Sequence, residues 1–84
     1  MKHASHPAIV ARLKRAEGHL KSIVAMIEDS RSCMDLAQQL HAVEKAVGNA
    51  KRELIHDHIE HCLDDDTADA RAGIGELKQL AKYL

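Results

Sequence analysis

The chain has 84 residues, a formal net charge of −1 at pH 7, and a hydrophobic content of 45% with no Phe or Trp, one Tyr and one Pro. This length corresponds to one small domain, near the size at which a lone chain struggles to bury enough apolar surface, so self-association is favoured. The aliphatic, proline-poor composition predicts an all-helical fold, and the lack of a signal-like N-terminus or a long apolar run predicts a cytoplasmic protein with no membrane partner.

Apolar residues that recur at alternating spacings of four and three predict two amphipathic helices. Helix 1 is expected over residues 7–28, with Pro7 in its first turn and residues 1–6 as a flexible arm. Its apolar stripe consists of Ile9, Leu13, Ala16, Leu20, Ile23 and Ile27. The polar segment 29–32 separates it from helix 2, for which Ser32 is the expected N-cap.

Helix 2 is predicted to extend to about residue 63, because the same spacing continues through Gly48 and Asn49. Its stripe consists of Leu36, Leu40, Val43, Val47, Ala50 and Leu54. A weaker stripe after an acidic linker predicts a shorter helix 3 over residues 68–83. We therefore expect one domain, residues 1–84, built from three helices with a long central one.

Thiol and imidazole groups stand at both ends of helix 2. Cys33 begins it, and His58 and Cys62 lie four residues apart near its end, a spacing that places both side chains on one face. At about 1.5 Å per residue, roughly 37 Å separates Cys33 from His58. Two such helices packed antiparallel would bring these groups together across a dimer, giving two equivalent sites. The alternative is a hairpin bent at Gly48 and Asn49, which would form the site within one chain.

Two thiolates and one imidazole are donors that suit Cu(I), Zn(II) or Ni(II) and do not suit Mg(II) or Ca(II). His3 and His6 on the arm could supply the further donors that Ni(II) or Co(II) requires. His61, next to Cys62, could contact one of the ligands without binding the ion itself, or it could act as a substitute ligand. The alternative interpretation is that each cysteine is an ordinary core residue and that the histidines are surface side chains.

Basic residues provide a candidate surface for DNA phosphates, which dimerisation would double. The alternative is an ordinary solvated face, and no helix-turn-helix spacing is recognisable. No nucleophile with a neighbouring general base can be inferred, so an enzyme is the least favoured class. The candidate DNA-binding residues are Arg12, Lys14, Arg15, Lys21, Lys51 and Arg52.

Several of these segments together resemble the copper-sensitive operon repressor (CsoR) family, which also includes nickel/cobalt and formaldehyde sensors. The resemblance covers about residues 7–63, and the spacing of its cysteine and histidine positions matches without a gap. The matching segments are Arg12–Leu20 (RLKRAEGHL), Cys33, Ala37–Val43 (AQQLHAV), and His58 with Cys62.

The resemblance implies a disc-shaped homotetramer, a dimer of dimers, that binds operator DNA and releases it when an effector binds. It also implies that Cys33 of one protomer joins His58 and Cys62 of its partner, and that Arg15 and Arg52 lie on the DNA face. We therefore expect a metal-responsive transcriptional repressor. The alternatives are a helical metal carrier without DNA binding and a repressor whose thiol senses an aldehyde or a persulfide.

The effector is expected to be Ni(II) or Co(II), slightly ahead of Cu(I). Nickel/cobalt sensors of the family recruit an N-terminal histidine, whose strict position falls at Met1 here, with His3 and His6 close by. Some copper sensors support their ligands with a tyrosine beside the first cysteine and a glutamate on helix 3. Those positions correspond here to Ser32 and Lys78.

Overall fold

The computed structural model describes residues 6–64 and 70–84, with side chains described for residues 6–60 and 74–84. It confirms the all-helical fold with a long central helix. The helices are α1 (His6–Glu28), α2 (Cys33–Asp64) and α3 (Ala70–Leu80), and a 3₁₀ turn follows at Ala81–Tyr83. Helix α1 begins one residue earlier than expected, so His6 belongs to the helix rather than to the arm.

The end of α1 is fixed by its backbone hydrogen bonds. Ser30 adopts a left-handed conformation with φ of 59°. Its N–H donates to the carbonyl of Ile27 at 3.1 Å, and the N–H of Arg31 donates to the carbonyl of Met26, also at 3.1 Å. This is the Schellman pattern, which usually places glycine at the Ser30 position. A non-glycine residue there costs about 1–2 kcal/mol, offset by the carbonyls that the turn satisfies.

Helix α2 begins directly after the predicted cap. The Ser32 hydroxyl accepts a hydrogen bond from the N–H of Asp35 at 3.2 Å, as an N-cap side chain does. The helix then runs for 32 residues, including Gly48 and Asn49, without a break. The alternative hairpin bent at these two residues is therefore wrong. An intact ladder of backbone hydrogen bonds outweighs the roughly 1 kcal/mol that an internal glycine costs.

Helices α1 and α2 pack as an antiparallel hairpin that buries only half of each apolar stripe. One row on each helix is buried at the hairpin interface: Ile9 (4% exposed), Ala16 (8%) and Ile23 (1%) on α1, and Val43 (8%) and Ala50 (2%) on α2. The alternate row remains open: Leu13 (42%), Leu20 (46%) and Ile27 (55%) on α1, and Leu40 (44%), Val47 (44%) and Leu54 (42%) on α2. The hairpin therefore presents a second apolar face of heptad spacing.

Helix α3 packs against the C-terminal half of α2, at the end where α1 begins. Ile55 is 3% exposed there, and Leu77 and Leu80 of α3 are half-buried. Residues of α1, α2 and α3 therefore line one pocket at this end of the molecule. Within residues 6–64 and 70–84, no helix combines the length and the apolar character needed to cross a membrane.

Candidate metal centre and nucleic-acid interface

Cys33 and His58 lie near opposite ends of one continuous helix. Because α2 is continuous, its 1.5 Å rise per residue separates the two by roughly 37 Å. The protomer is correspondingly elongated, measuring 56 Å along its longest axis. Cys33 is an exposed free thiol at the first residue of α2. The two predicted donors therefore do not come together within one protomer.

His58 lines a pocket to which all three helices contribute residues. Its side chain is 26% exposed, and its Nε2 atom lies 3.4 Å from Oε2 of Glu76 on α3. A pocket of about 210 Å³ opens beside this pair. The residues that line it are His6, Leu54, Ile55, His58, Glu76 and Leu80. Two imidazoles and one carboxylate thus border a single, largely apolar pocket.

His6 reaches this pocket because the start of α1 packs beside the end of α2. Of the two arm histidines named from the sequence, His6 is therefore positioned beside His58, and His3 lies outside the described residues. Cys62 follows His58 by one turn of α2, but its side chain and that of His61 also lie outside the described part. Among the described side chains, no three His, Cys, Asp or Glu residues form a group that could hold a metal ion.

Two of the basic residues of α1 border a groove between α1 and α2. Arg12 and Arg15 line it with His19 and with Asn49 of α2. The guanidinium of Arg12 donates a hydrogen bond to the carboxylate of Glu53, which makes an ion pair between the two helices. This groove therefore holds two of the six predicted DNA-binding residues.

A second basic pocket adjoins the groove on the outer surface of α2. It contains three cations and one carboxylate, and its lining residues are His41, Glu44, Lys45, Gly48, Lys51 and Arg52. Arg52 donates a hydrogen bond to the side-chain oxygen of Asn49 and so connects the two pockets. We call the surface formed by Arg12, Arg15, Lys45, Lys51 and Arg52 the basic face. Lys14 and Lys21 are exposed on α1 and line neither of these two pockets.

Three residues of these surfaces, Glu76, Lys45 and Glu53, are not among the candidates predicted from the sequence. Glu76, two residues before Lys78, provides the α3 carboxylate beside His58. Lys45 precedes Arg52 by seven residues, or two helical turns, and this spacing was a usable signal. Glu53 pairs with Arg12 across a sequence separation of 41 residues, which no local spacing of residues predicts.

Comparisons with known proteins agree with this architecture. The family model described as metal-sensitive transcriptional repressor matches residues 5–83. The chain is 38% identical over 78 residues to the copper-sensing transcriptional repressor CsoR of Mycobacterium ulcerans, covering 90% of this chain and 67% of that one. It is 38% identical over 76 residues to the CsoR of Bacillus subtilis, covering 88% and 75%.

A solved structure extends the likeness to the three-dimensional fold. The nickel-responsive transcriptional regulator InrS superposes with a TM-score of 0.84 at 26% identity, covering 100% of this chain and 98% of the other. The relatives named here thus include sensors of copper and a regulator that responds to nickel. All three of these proteins are described as transcriptional regulators. The chain belongs to the CsoR family of metal-sensitive transcriptional repressors.

Proposed function

We propose that the metal-free chain binds operator DNA in the cytoplasm and releases it when Ni(II) or Co(II), ahead of Cu(I), binds a Cys/His/Cys site shared between two protomers. The observation that carries this proposal is the unbroken helix α2. It holds Cys33 roughly 37 Å from His58, so one chain cannot supply both donors to one ion. A second chain is therefore part of the ligand set.

The open apolar row on the hairpin supports an antiparallel pairing of protomers. Leu40, Val47 and Leu54 repeat every seven residues and are all more than 40% exposed. A two-fold axis near Val47 would place each such row against its copy, because the row is symmetric about that residue. The same axis would bring Cys33 of one protomer towards His58 of the other, since the two residues lie 14 and 11 positions from Val47.

His58 and His6 could supply imidazole nitrogens to the proposed transition-metal site, and the two thiolates would complete it. Glu76 lies next to Nε2 of His58 and would orient the ring so that Nδ1 faces the ion. His6, on the same pocket, would add an imidazole, which suits Ni(II) or Co(II) better than a trio of donors does. When bound, the ion would supply a crosslink between the start of α2 in one protomer and the end of α2 in the other.

Helix α1 provides a physical route between the two proposed sites. Its first residue, His6, borders the His58 pocket, and Arg12 and Arg15 lie only two to three turns further along. A rigid helix transmits a small displacement from its N-terminus to the basic face. Coupling of this kind between two binding sites is typically worth about 1–3 kcal/mol.

A complementation experiment tests the shared site. Cys33→Ala and the double variant His58→Ala, Cys62→Ala are each expected to lose metal binding. When the two variants are mixed and exchange subunits at random, about half of the dimers are heterodimers, and each heterodimer has one intact site of two. About a quarter of the wild-type metal stoichiometry should therefore return. If the mixture binds no more metal than the separate variants, the donors do not come from two chains. Wild-type protein carried through the same exchange is the control.

A further inference from the structure

Two arginines of the basic face, Arg12 on α1 and Arg52 on α2, have partners of different charge. Arg52 of α2 donates to the neutral amide oxygen of Asn49, so its positive charge is uncompensated at that contact. Arg12 of α1 donates to the carboxylate of Glu53, which cancels its charge. The basic face therefore contains one arginine whose charge is already neutralised within the protomer.

The Arg12–Glu53 pair is open to solvent. The Arg12 side chain is 48% exposed and that of Glu53 is 37% exposed. Exposed pairs of this kind are screened by water and salt and are readily exchanged for other partners. A DNA phosphate entering the groove beside Arg15 and Asn49 would therefore meet an arginine that it can capture only by displacing a carboxylate.

We propose that Glu53 competes with DNA phosphate for Arg12. The affinity of the basic face for DNA is therefore lower than it would be without the Glu53 carboxylate. The inference rests on the DNA-binding function proposed above. Displacement leaves the Glu53 carboxylate near the incoming phosphate, which adds repulsion to the loss of the pair. Both effects act in the same direction, because each makes binding of the polyanion less favourable.

Glu53 is also placed to connect this competition to the rest of the protomer. It precedes His58 by five residues on α2, about 7.5 Å along the helix axis, whereas its partner Arg12 is on α1. Whether the pair forms therefore depends on the position of α1 relative to α2. Glu53 lines neither the His58 pocket nor the surface around Cys33, so its replacement should leave metal affinity unchanged.

The test compares DNA binding by wild-type protein and by Glu53→Gln, which keeps the size of the side chain and removes its charge. The probe is a short duplex selected from a random library for binding to the metal-free wild-type protein, titrated at two salt concentrations. We expect Glu53→Gln to bind about three- to tenfold more tightly and to steepen the dependence of log affinity on log salt by about 0.9 for each Arg12 that gains a phosphate.

Glu28→Gln is the matched control, because it changes net charge equally at the far end of α1, about 24 Å along the helix from Arg12. Arg12→Gln provides the second comparison: the gain from Glu53→Gln should disappear when Arg12 is already replaced. Circular dichroism and the metal affinity of each variant check that fold and metal site are retained.

Three results would overturn the inference. Weaker DNA binding by Glu53→Gln would mean that Glu53 positions Arg12 for DNA instead of competing for it. A gain equal to that of Glu28→Gln, or one that persists in the Arg12→Gln protein, would mean a general charge effect. Failure of the proposed DNA-binding function is distinguishable, because in that case the wild-type protein itself selects and binds no duplex.

Discussion

Glu76 on α3 places its Oε2 atom 3.4 Å from Nε2 of His58 on α2. A carboxylate in contact with one imidazole nitrogen orients the ring and makes the other nitrogen a better metal ligand. We therefore expect Glu76→Gln to lower metal affinity by about 10- to 100-fold, the usual effect of removing such a partner. Competition titration with a chelator of known affinity measures the change.

The control for this prediction is Glu44→Gln. Glu44 is exposed on α2, about 21 Å along the helix from His58, so its replacement changes net charge without touching the site. Equal metal affinities for Glu76→Gln and the wild-type protein would show that the carboxylate does not support the ligand.

His6 provides a way to separate nickel from copper. Because His6 lines the pocket beside His58, we expect His6→Ala to weaken Ni(II) and Co(II) binding by more than about tenfold while Cu(I) affinity is retained. The physical reason is that Cu(I) is satisfied by three donors, whereas Ni(II) and Co(II) require more. Metal competition and the ligand-field absorption of the Co(II) form measure the effect.

His41→Ala is the corresponding control, since His41 lies on the outer surface of α2 in the other basic pocket. A parallel His3→Ala variant identifies which of the two N-terminal histidines contributes. Unchanged Ni(II) affinity in His6→Ala, combined with a loss in His3→Ala, would assign the donor to His3. Loss of Cu(I) affinity in His6→Ala would contradict the proposed division between the metals.

Regular periodicity explains why the helices can be predicted from the sequence. The alternation of four and three residues passes through Gly48 without a phase change, and the structure has one helix there. The cap at Ser32 is also predictable, because its hydrogen bond to Asp35 is local. Local spacing does not say which half of a stripe packs within the protomer. Ala16 and Leu20 belong to the same stripe, yet one is buried and the other is 46% exposed.

Contacts between helices set the limit of the sequence-based prediction of the site. The separation of Cys33 from His58 follows from helix length alone, and the structure confirms the continuous helix on which it depends. The presence of Glu76 rather than Lys78 beside His58 depends on how α3 is rotated on α2, which residue spacing does not fix. Pro7 suggests a helix start at residue 7, which leaves His6 on the arm, and a shift of one residue brings His6 into the helix and beside the pocket.

The basic face predicts a steep salt dependence of DNA binding. Arg15 borders the groove and is exposed, so we expect Arg15→Gln to weaken DNA binding and to reduce the slope of log affinity against log salt by about 0.9 for each phosphate that the protein no longer neutralises. Fluorescence anisotropy at several salt concentrations gives this slope. Lys78→Gln on α3 is the control of equal charge. A slope unchanged by Arg15→Gln would remove Arg15 from the proposed interface.

Val47 lies at the centre of the open apolar row, with Leu40 and Leu54 one heptad to either side. If a second copy covers this row, Val47→Asp buries a charge without a partner in the dimer and should shift the protein towards monomers. Because the proposed site needs donors from two chains, the same variant should also lose metal binding although every donor is still present. Sedimentation velocity and metal titration, performed at the same protein concentration, measure both effects.

Ala42→Asp introduces the same charge on α2, about 140° around the helix from Val47, and should leave the assembly intact. The concentration dependence adds a further check. Metal binding by Val47→Asp should recover as protein concentration rises, since mass action restores the dimer and with it the shared ligand set. A monomeric Val47→Asp protein that binds metal as tightly as the wild type would contradict the shared site, because each chain would then complete the ligand set alone.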